Sequence, residues 1–181
     1  YAFKSKYLFE ANIRRDGSSR FAPDNRISYF PSFSAAWRLG EEEFIKNLNL
    51  FSNLKFRASW GQLGNQQIGS DFPYVSSISL GSRNYVFGNS VYTGATQNVL
   101  ANENIQWETT ETTNFAIDAG FFENRLSFTA EYYVRKTKDI LLNLPIPLVI
   151  GLSAPPQNAG NVENKGWEFS STWQDNIKDF N

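Results

Sequence analysis

Apolar and polar residues alternate with a period of two along most of this chain, and helical periodicity is scarce. The first run sets Tyr7, Phe9, Ala11 and Ile13 against Lys6, Glu10, Asn12 and Arg14, with Leu8 the one break. The second places Tyr29, Pro31, Phe33, Ala35 and Trp37 on one face, opposite Ser32, Ser34 and Arg38. A third sets Leu54, Phe56, Ala58 and Trp60 against Asn53, Lys55, Arg57 and Ser59. The fourth, over residues 105–120, has a polar face of Gln106, Glu108, Thr110, Thr112, Asn114 and Asp118. Its other face carries Trp107, Phe115, Ile117 and Ala119, with Thr109, Glu111 and Thr113 between them. In the fifth, Leu126, Phe128, Ala130, Tyr132 and Val134 oppose Arg125, Ser127, Thr129, Glu131 and Arg135. The sixth sets Trp167, Phe169 and Trp173 against Glu168, Ser170, Thr172 and Gln174. This pattern predicts about six antiparallel strands, each near the length that crosses a bilayer at a tilt.

The connections alternate in length. RRDGSSRFAPDNR joins the first two strands, and GEEEFIKNLNLFSN follows the second, where Glu41 to Glu43 read as a solvated start of one or two helical turns. Residues 64–104 form a connection well beyond the ~12–15 residues at which structureless loops become uncommon. The tight turn FFEN, Phe121 to Asn124, joins strands four and five. A second long excursion, residues 138–163, precedes strand six; within it Asn158, Asn161 and Asn164 read as turn residues, and QDNIKDFN opens a further turn. Long loops at one end and short links at the other are the asymmetry of outer-membrane barrels.

Alternation alone also fits a soluble sandwich, so aromatic placement matters. All five tryptophans fall on the apolar face, each towards a strand end. Trp37 and Trp173, with Tyr7, map to the short-turn end. Trp60, Trp107 and Trp167, with Tyr29 and Tyr132, map to the long-loop end. Two aromatic girdles with Phe, Ala, Leu and Ile between them describe a lipid-facing band. The opposite face, rich in Ser, Thr, Asn, Arg and Glu, suits a wet lumen or a plug. Glu111 is the exception on the apolar face and is expected at the headgroup level.

Composition narrows the chemistry. The 181 residues carry Lys+Arg 17 against Asp+Glu 18, which gives no electrostatic case for nucleic acid. Cys 0, His 0 and Met 0 leave no thiolate, imidazole or thioether chemistry, so neither catalysis nor a cofactor is expected. No apolar run approaches the ~20 residues of a membrane-spanning helix; LPIPLVIG, Leu144 to Gly151, is short and carries two prolines. No secretory signal precedes the first strand pattern, which is expected of a processed chain or of a piece of something longer.

Few side chains stand out as ligands. Asp16, Asp24 and Asn25 could offer oxygens to calcium, but they lack EF-hand spacing and sit in ordinary turn-forming pairs, so no metal site is expected. Glu108 and Glu111 point to opposite faces of one strand and cannot flank a glycosidic bond. GSRNYVFGNSVYTGATQN, Gly81 to Asn98, mixes Tyr85, Phe87 and Tyr92 with Arg83, Asn84, Asn89 and Gln97. Aromatic faces beside amides and a guanidinium suit capture of a sugar or peptide, or contact with a lid. The plainer reading is a solvated hairpin whose aromatics pack locally.

Several blocks carry a resemblance. YLFEANIRRDGSSRFAPDNRISYFPSFSAAWRLGEEEFIK, LKFRASWGQLGNQQIG, NENIQWETTETTNFAIDAGFFENRLSFTAEYYVRKTKDILLNLPIP and NAGNVENKGWEFS stand in an order that resembles the barrel region of SusC/RagA-type TonB-linked outer-membrane proteins. The resemblance covers nearly all of residues 1–181 and excludes only the loop around Phe72 to Val99. It implies an all-β fold, a portion of an antiparallel transmembrane β-barrel whose complete form has ~22 strands around a plug. It further implies import of glycans or peptides across a Gram-negative outer membrane. The implied partners are outer-membrane lipid, a SusD-like surface lipoprotein, and the TonB complex through a plug and contact segment not in this stretch. A soluble carbohydrate-binding β domain and a passive porin or adhesin barrel remain as alternatives.

Overall fold

The computed structural model describes residues 1–69, 71–81 and 83–175. The strands are β1 (Ala2–Phe3), β2 (Tyr7–Gly17), β3 (Ile27–Trp37), β4 (Asn53–Asn65), β5 (Ser79–Leu80), β6 (Tyr85–Phe87), β7 (Ser90–Tyr92), β8 (Ala95–Thr96), β9 (Glu108–Phe121), β10 (Leu126–Asn143) and β11 (Pro156–Trp173). One helical turn, α1 (Glu43–Lys46), lies between β3 and β4. Seven strands form one sheet in the order β1-β2-β3-β4-β9-β10-β11, every pair antiparallel. The sheet is open at both edges. The other described strands form two separate two-stranded ladders, β5 with β8 and β6 with β7.

The register aligns the alternating faces across strands. Tyr7 pairs with Trp37, Trp37 with Phe56, Phe56 with Ile117, Ile117 with Ala130, and Ala130 with Phe169. Because side chains alternate with a period of two, this one row fixes the facing of the residues wherever the ladders run without a register shift. At the short-turn end Phe122, Glu123 and Asn124 all have positive φ, which closes the β9–β10 hairpin tightly.

The β3–β4 ladder is shorter than its neighbours. It runs from Trp37↔Phe56 to Ser32↔Gly61 and stops beside Pro31, which has no N–H to extend it. Above that point β3 stays with β2 and β4 stays with β9. The Phe30 ring occupies the space a side chain at Gly64 would need. Phe30 joins Phe21, Ile68, Ile105 and Trp107 in a small buried cluster, with Leu141 packed against it. That cluster staples the 18–26 loop to both ends of the 66–107 connection.

Several boundaries differ from expectation. Trp107 is not on the exposed face: it is buried, 5.0 Å from the Phe21 ring and 5.6 Å from Phe30, just before β9 begins. Burial between two rings outweighs the alternation that would have turned it outward. The excursion expected over 138–163 shrinks to residues 144–155, since β10 and β11 pair out to Asn143↔Pro156. Asn158, Asn161 and Asn164 are therefore strand residues. Asp139 has φ +57° at a register shift in β10, and Asn161 Oδ1 accepts its N–H while Asn158 Nδ2 donates to its carbonyl. The two amides replace the ladder bonds that the irregularity breaks. Of QDNIKDFN, residues 176–181 lie outside the described residues.

Candidate functional site: two faces of one sheet and a loop hairpin

The apolar face of the sheet is exposed. Phe9, Phe33, Phe56, Phe115, Ile117, Phe128 and Phe169 all lie open, with Phe169 at 68%. The described residues instead bury a small set, chiefly the loop cluster with Ala116 and Ala119. A continuous apolar band of this size on a water-soluble domain would be an aggregation surface.

Seven of the eight expected girdle residues lie on this band or at its rims. At the short-turn end Tyr7 stacks on Trp37 with ring centroids 6.0 Å apart, and Trp173 lies 6.4 Å from Phe122. Towards the long-loop end Trp60 stacks on Phe33 at 5.9 Å, and Tyr132 meets Trp167 at 4.9 Å. Trp167 continues onto Phe169 at an interplanar angle of 4°. Tyr29 is exposed near the top of β3. Trp107 is the exception, buried as described.

Each rim also holds a carboxylate that periodicity did not single out as a partner for these rings. Glu42, expected to be a solvated helix start, accepts hydrogen bonds from Lys6 Nζ at 2.9 Å, Tyr7 Oη at 2.9 Å and Trp37 Nε1 at 3.1 Å. Those donors, with the Lys6 ammonium first, hold the Glu42 carboxyl down at about 2, and the same contact raises Lys6. At the other rim Glu111 accepts from Trp60 Nε1 at 3.0 Å and pairs with Lys138 Nζ at 3.3 Å. The charge on the apolar face is thus neutralised where it stands.

The opposite face is polar and internally wired. Arg57 Nε donates to Asp118 Oδ2 at 2.7 Å and Nη2 to Oδ1 at 3.2 Å, a bidentate pair across β4 and β9. Thr129 Oγ1 donates to the same carboxylate at 3.0 Å, and Glu131 lies 3.6 Å from Arg57 Nη2. Three strands are tied on the side away from the apolar band. The sequence named each residue as polar; only the pairing brings them together.

The third feature is the excursion at 79–96. β5 pairs with β8 at its base and β6 with β7 at its tip, Tyr85 facing Tyr92 and Phe87 facing Ser90. Gly88, with φ +58°, makes the tip turn. Tyr85, Phe87 and Tyr92 share one side and are exposed at 55–70%, and Phe87 and Tyr92 meet edge-on at 5.7 Å. Asn84 Oδ1 accepts the Gly94 N–H at 3.1 Å, so this amide braces the hairpin. Arg83 and Asn89 are exposed beside it. Asp16 pairs with Arg14 at 2.7 Å and Asn25 donates to the Ile105 carbonyl. Among the described residues no group of three or more acidic side chains gathers for a metal ion.

A family model for "TonB dependent receptor-like, beta-barrel" matches residues 1–181. The chain belongs to this family. It is 42% identical over 170 residues to TonB-dependent receptor P26 of Formosa agariphila, covering 94% of this chain and 17% of that protein. It is 40% identical over 173 residues to TonB-dependent receptor SusC of Bacteroides thetaiotaomicron, again covering 94% and 17%. In structure it is similar to the RagAB peptide importer in its closed-closed state, with TM-score 0.84, 29% identity, and coverage of 98% of this chain and 19% of that one. The chain therefore spans less than a fifth of the relatives it matches, and the open seven-stranded sheet is a portion of a TonB-dependent-receptor barrel.

Proposed function

We propose that this barrel portion is part of the wall of a nutrient importer in a Gram-negative outer membrane. The apolar band faces lipid, the Arg57–Asp118–Glu131 face lines the lumen or meets a plug, and the long loops face outward. The observation that carries this reading is the exposed aromatic band on one side of a sheet whose other side is a charge network. Arg83, Asn84, Tyr85, Phe87, Asn89 and Tyr92 offer a substrate or lid surface, with rings to stack on a sugar or peptide and polar groups to orient it. A glycan or peptide substrate, a SusD-like lipoprotein partner and energy from the TonB complex fit the similarity to SusC and to the RagAB importer. Coupling to TonB would run through parts outside this stretch.

The test uses the full-length receptor in lipid. A spin label at residue 169 should be relaxed by membrane-dissolved oxygen, and one at residue 170 by a water-soluble paramagnet. Equal access of the water-soluble reagent to both sites would sink the membrane reading and restore the soluble carbohydrate-binding domain. Uptake that survives removal of TonB would point to the passive porin instead. Tyr85→Ala with Tyr92→Ala should weaken uptake at normal surface levels; unchanged uptake would remove the hairpin from the site.

A further inference from the structure

Just above the aromatic band on β10 and β11, the same face turns basic. Tyr132 pairs with Trp167, and the next outward pairs are Val134↔Lys165 and Lys136↔Glu163, with Lys138 beyond them on β10. Lys136, Lys138 and Lys165 therefore share the side that carries Trp167 and Phe169, and their side chains are 46%, 52% and 67% exposed. Arg135 and Glu131 lie on the opposite face by the same alternation.

The lysines are only partly neutralised. Lys136 lies 3.3 Å from Glu163, Lys138 lies 3.3 Å from Glu111, and Lys165 reaches Glu163 only at 4.0 Å. Three ammonium groups against two carboxylates leave a net positive charge, and Glu111 also accepts the Trp60 indole. Lys136 is two residues from Lys138 on β10 and diagonal to Lys165 across the ladder, with Cβ atoms about 7 Å apart in each case, so the long stems of Lys138 and Lys165 can reach towards an anion held at Lys136.

Whatever touches these ammonium groups from outside the sheet also meets the exposed rings of Trp167 and Phe169 two and four residues from Lys165. A ligand that satisfies both has an anionic head and an apolar tail. We propose that Lys136, Lys138 and Lys165, set directly above the Trp167–Phe169 ladder, form a binding site for the phosphate head of a membrane lipid. This rests on the lipid-facing reading of the band and adds a specific lipid chemistry to one sector of it. The lysines bind the phosphate, while the rings bound the upper acyl region.

The experiment uses the full-length receptor, purified in mild detergent and incubated with bis-phosphorylated lipid A or its dephosphorylated form. Retained lipid is read by native mass spectrometry. Wild type should retain the phosphorylated lipid preferentially. Lys165→Gln should lower retention about fivefold, from the worth of one basic group near an anionic surface. The triple variant Lys136→Gln, Lys138→Gln, Lys165→Gln should abolish the preference while the barrel keeps its heat-resistant mobility on gels. Equal retention of both lipids by wild type, or an unchanged preference in a folded triple variant, would overturn the proposal and leave the lysines as partners of Glu111 and Glu163 alone. The spin-label comparison at residues 169 and 170 reads the membrane facing separately, so that reading stands or falls on a different measurement.

Discussion

The indole N–H of Trp60 donates to the carboxylate of Glu111 at 3.0 Å, across β4 and β9 on the apolar side of the sheet. The bond explains how an acid sits on that face, since Lys138 supplies the counter-charge from the next strand. Trp60→Phe removes one donor and keeps the ring. It should lower the stability of the full-length barrel by about 1 kcal/mol, below the ~1.5–3 kcal/mol of a hydrogen bond to a charged group because Glu111 is partly open to solvent. Chemical unfolding in detergent measures the shift, and no shift would mean that water replaces the indole without loss.

At the opposite rim Glu42 gathers Lys6, Tyr7 and Trp37, which lowers its carboxyl from 4.5 to about 2. A depressed carboxylate contributes stability above its unfolded pKa and loses it as pH falls through the folded value. Wild type should therefore exceed Glu42→Gln in stability at neutral pH. The gap should close between about pH 4.5 and about 2. Thermal unfolding of both proteins across that range checks it; a gap independent of pH would assign the effect to packing.

On the polar face Arg57 bridges Asp118 and Glu131. Arg57→Leu leaves two carboxylates on one face without a cation between them. Asp118→Asn keeps an oxygen for the Thr129 hydroxyl and an acceptor for Arg57. The arginine variant should be the less stable of the two, with a cost of about 1–2 kcal/mol for a partly exposed pair. Equal midpoints would show that solvent screens both acids fully.

Gly64 has the Phe30 ring where a Cβ would stand. Gly64→Ala should destabilise the loop cluster by about 1–3 kcal/mol through overpacking. The penalty should shrink in a Phe30→Ala background, because the clash partner is gone. Limited proteolysis of the 66–107 connection reads the effect. Additive effects of the two substitutions would separate them.

Much of the sheet was legible in the residues. The alternation in LKFRASW and in LSFTAEYYV places the correct side chains on each face, because a strand's period is fixed by its backbone. The tight FFEN link and the helical turn at Glu43 were equally local. Trp107 was not legible: it follows the same alternation as Thr109 and Glu111, yet Phe21 and Phe30 come from sequence-distant segments to bury it. The Arg57–Asp118 pair was hidden for the same reason, as were the Lys6 and Tyr7 partners of Glu42, since each lies more than thirty residues away along the chain. Asn158 and Asn161 of NAGNVENKG looked like turn formers because their amides do replace backbone bonds, but at an irregularity inside a ladder.

The sequence by itself determined that this chain makes long amphipathic strands with aromatic rims, because alternation and composition act residue by residue. The tertiary structure, by contrast, leaves the apolar side uncovered among the described residues. That depends on what does not pack against it, which a one-dimensional pattern cannot show. It also decided which charges meet, since register brings Trp60 to Glu111 and Arg57 to Asp118 over separations of 51 and 61 residues.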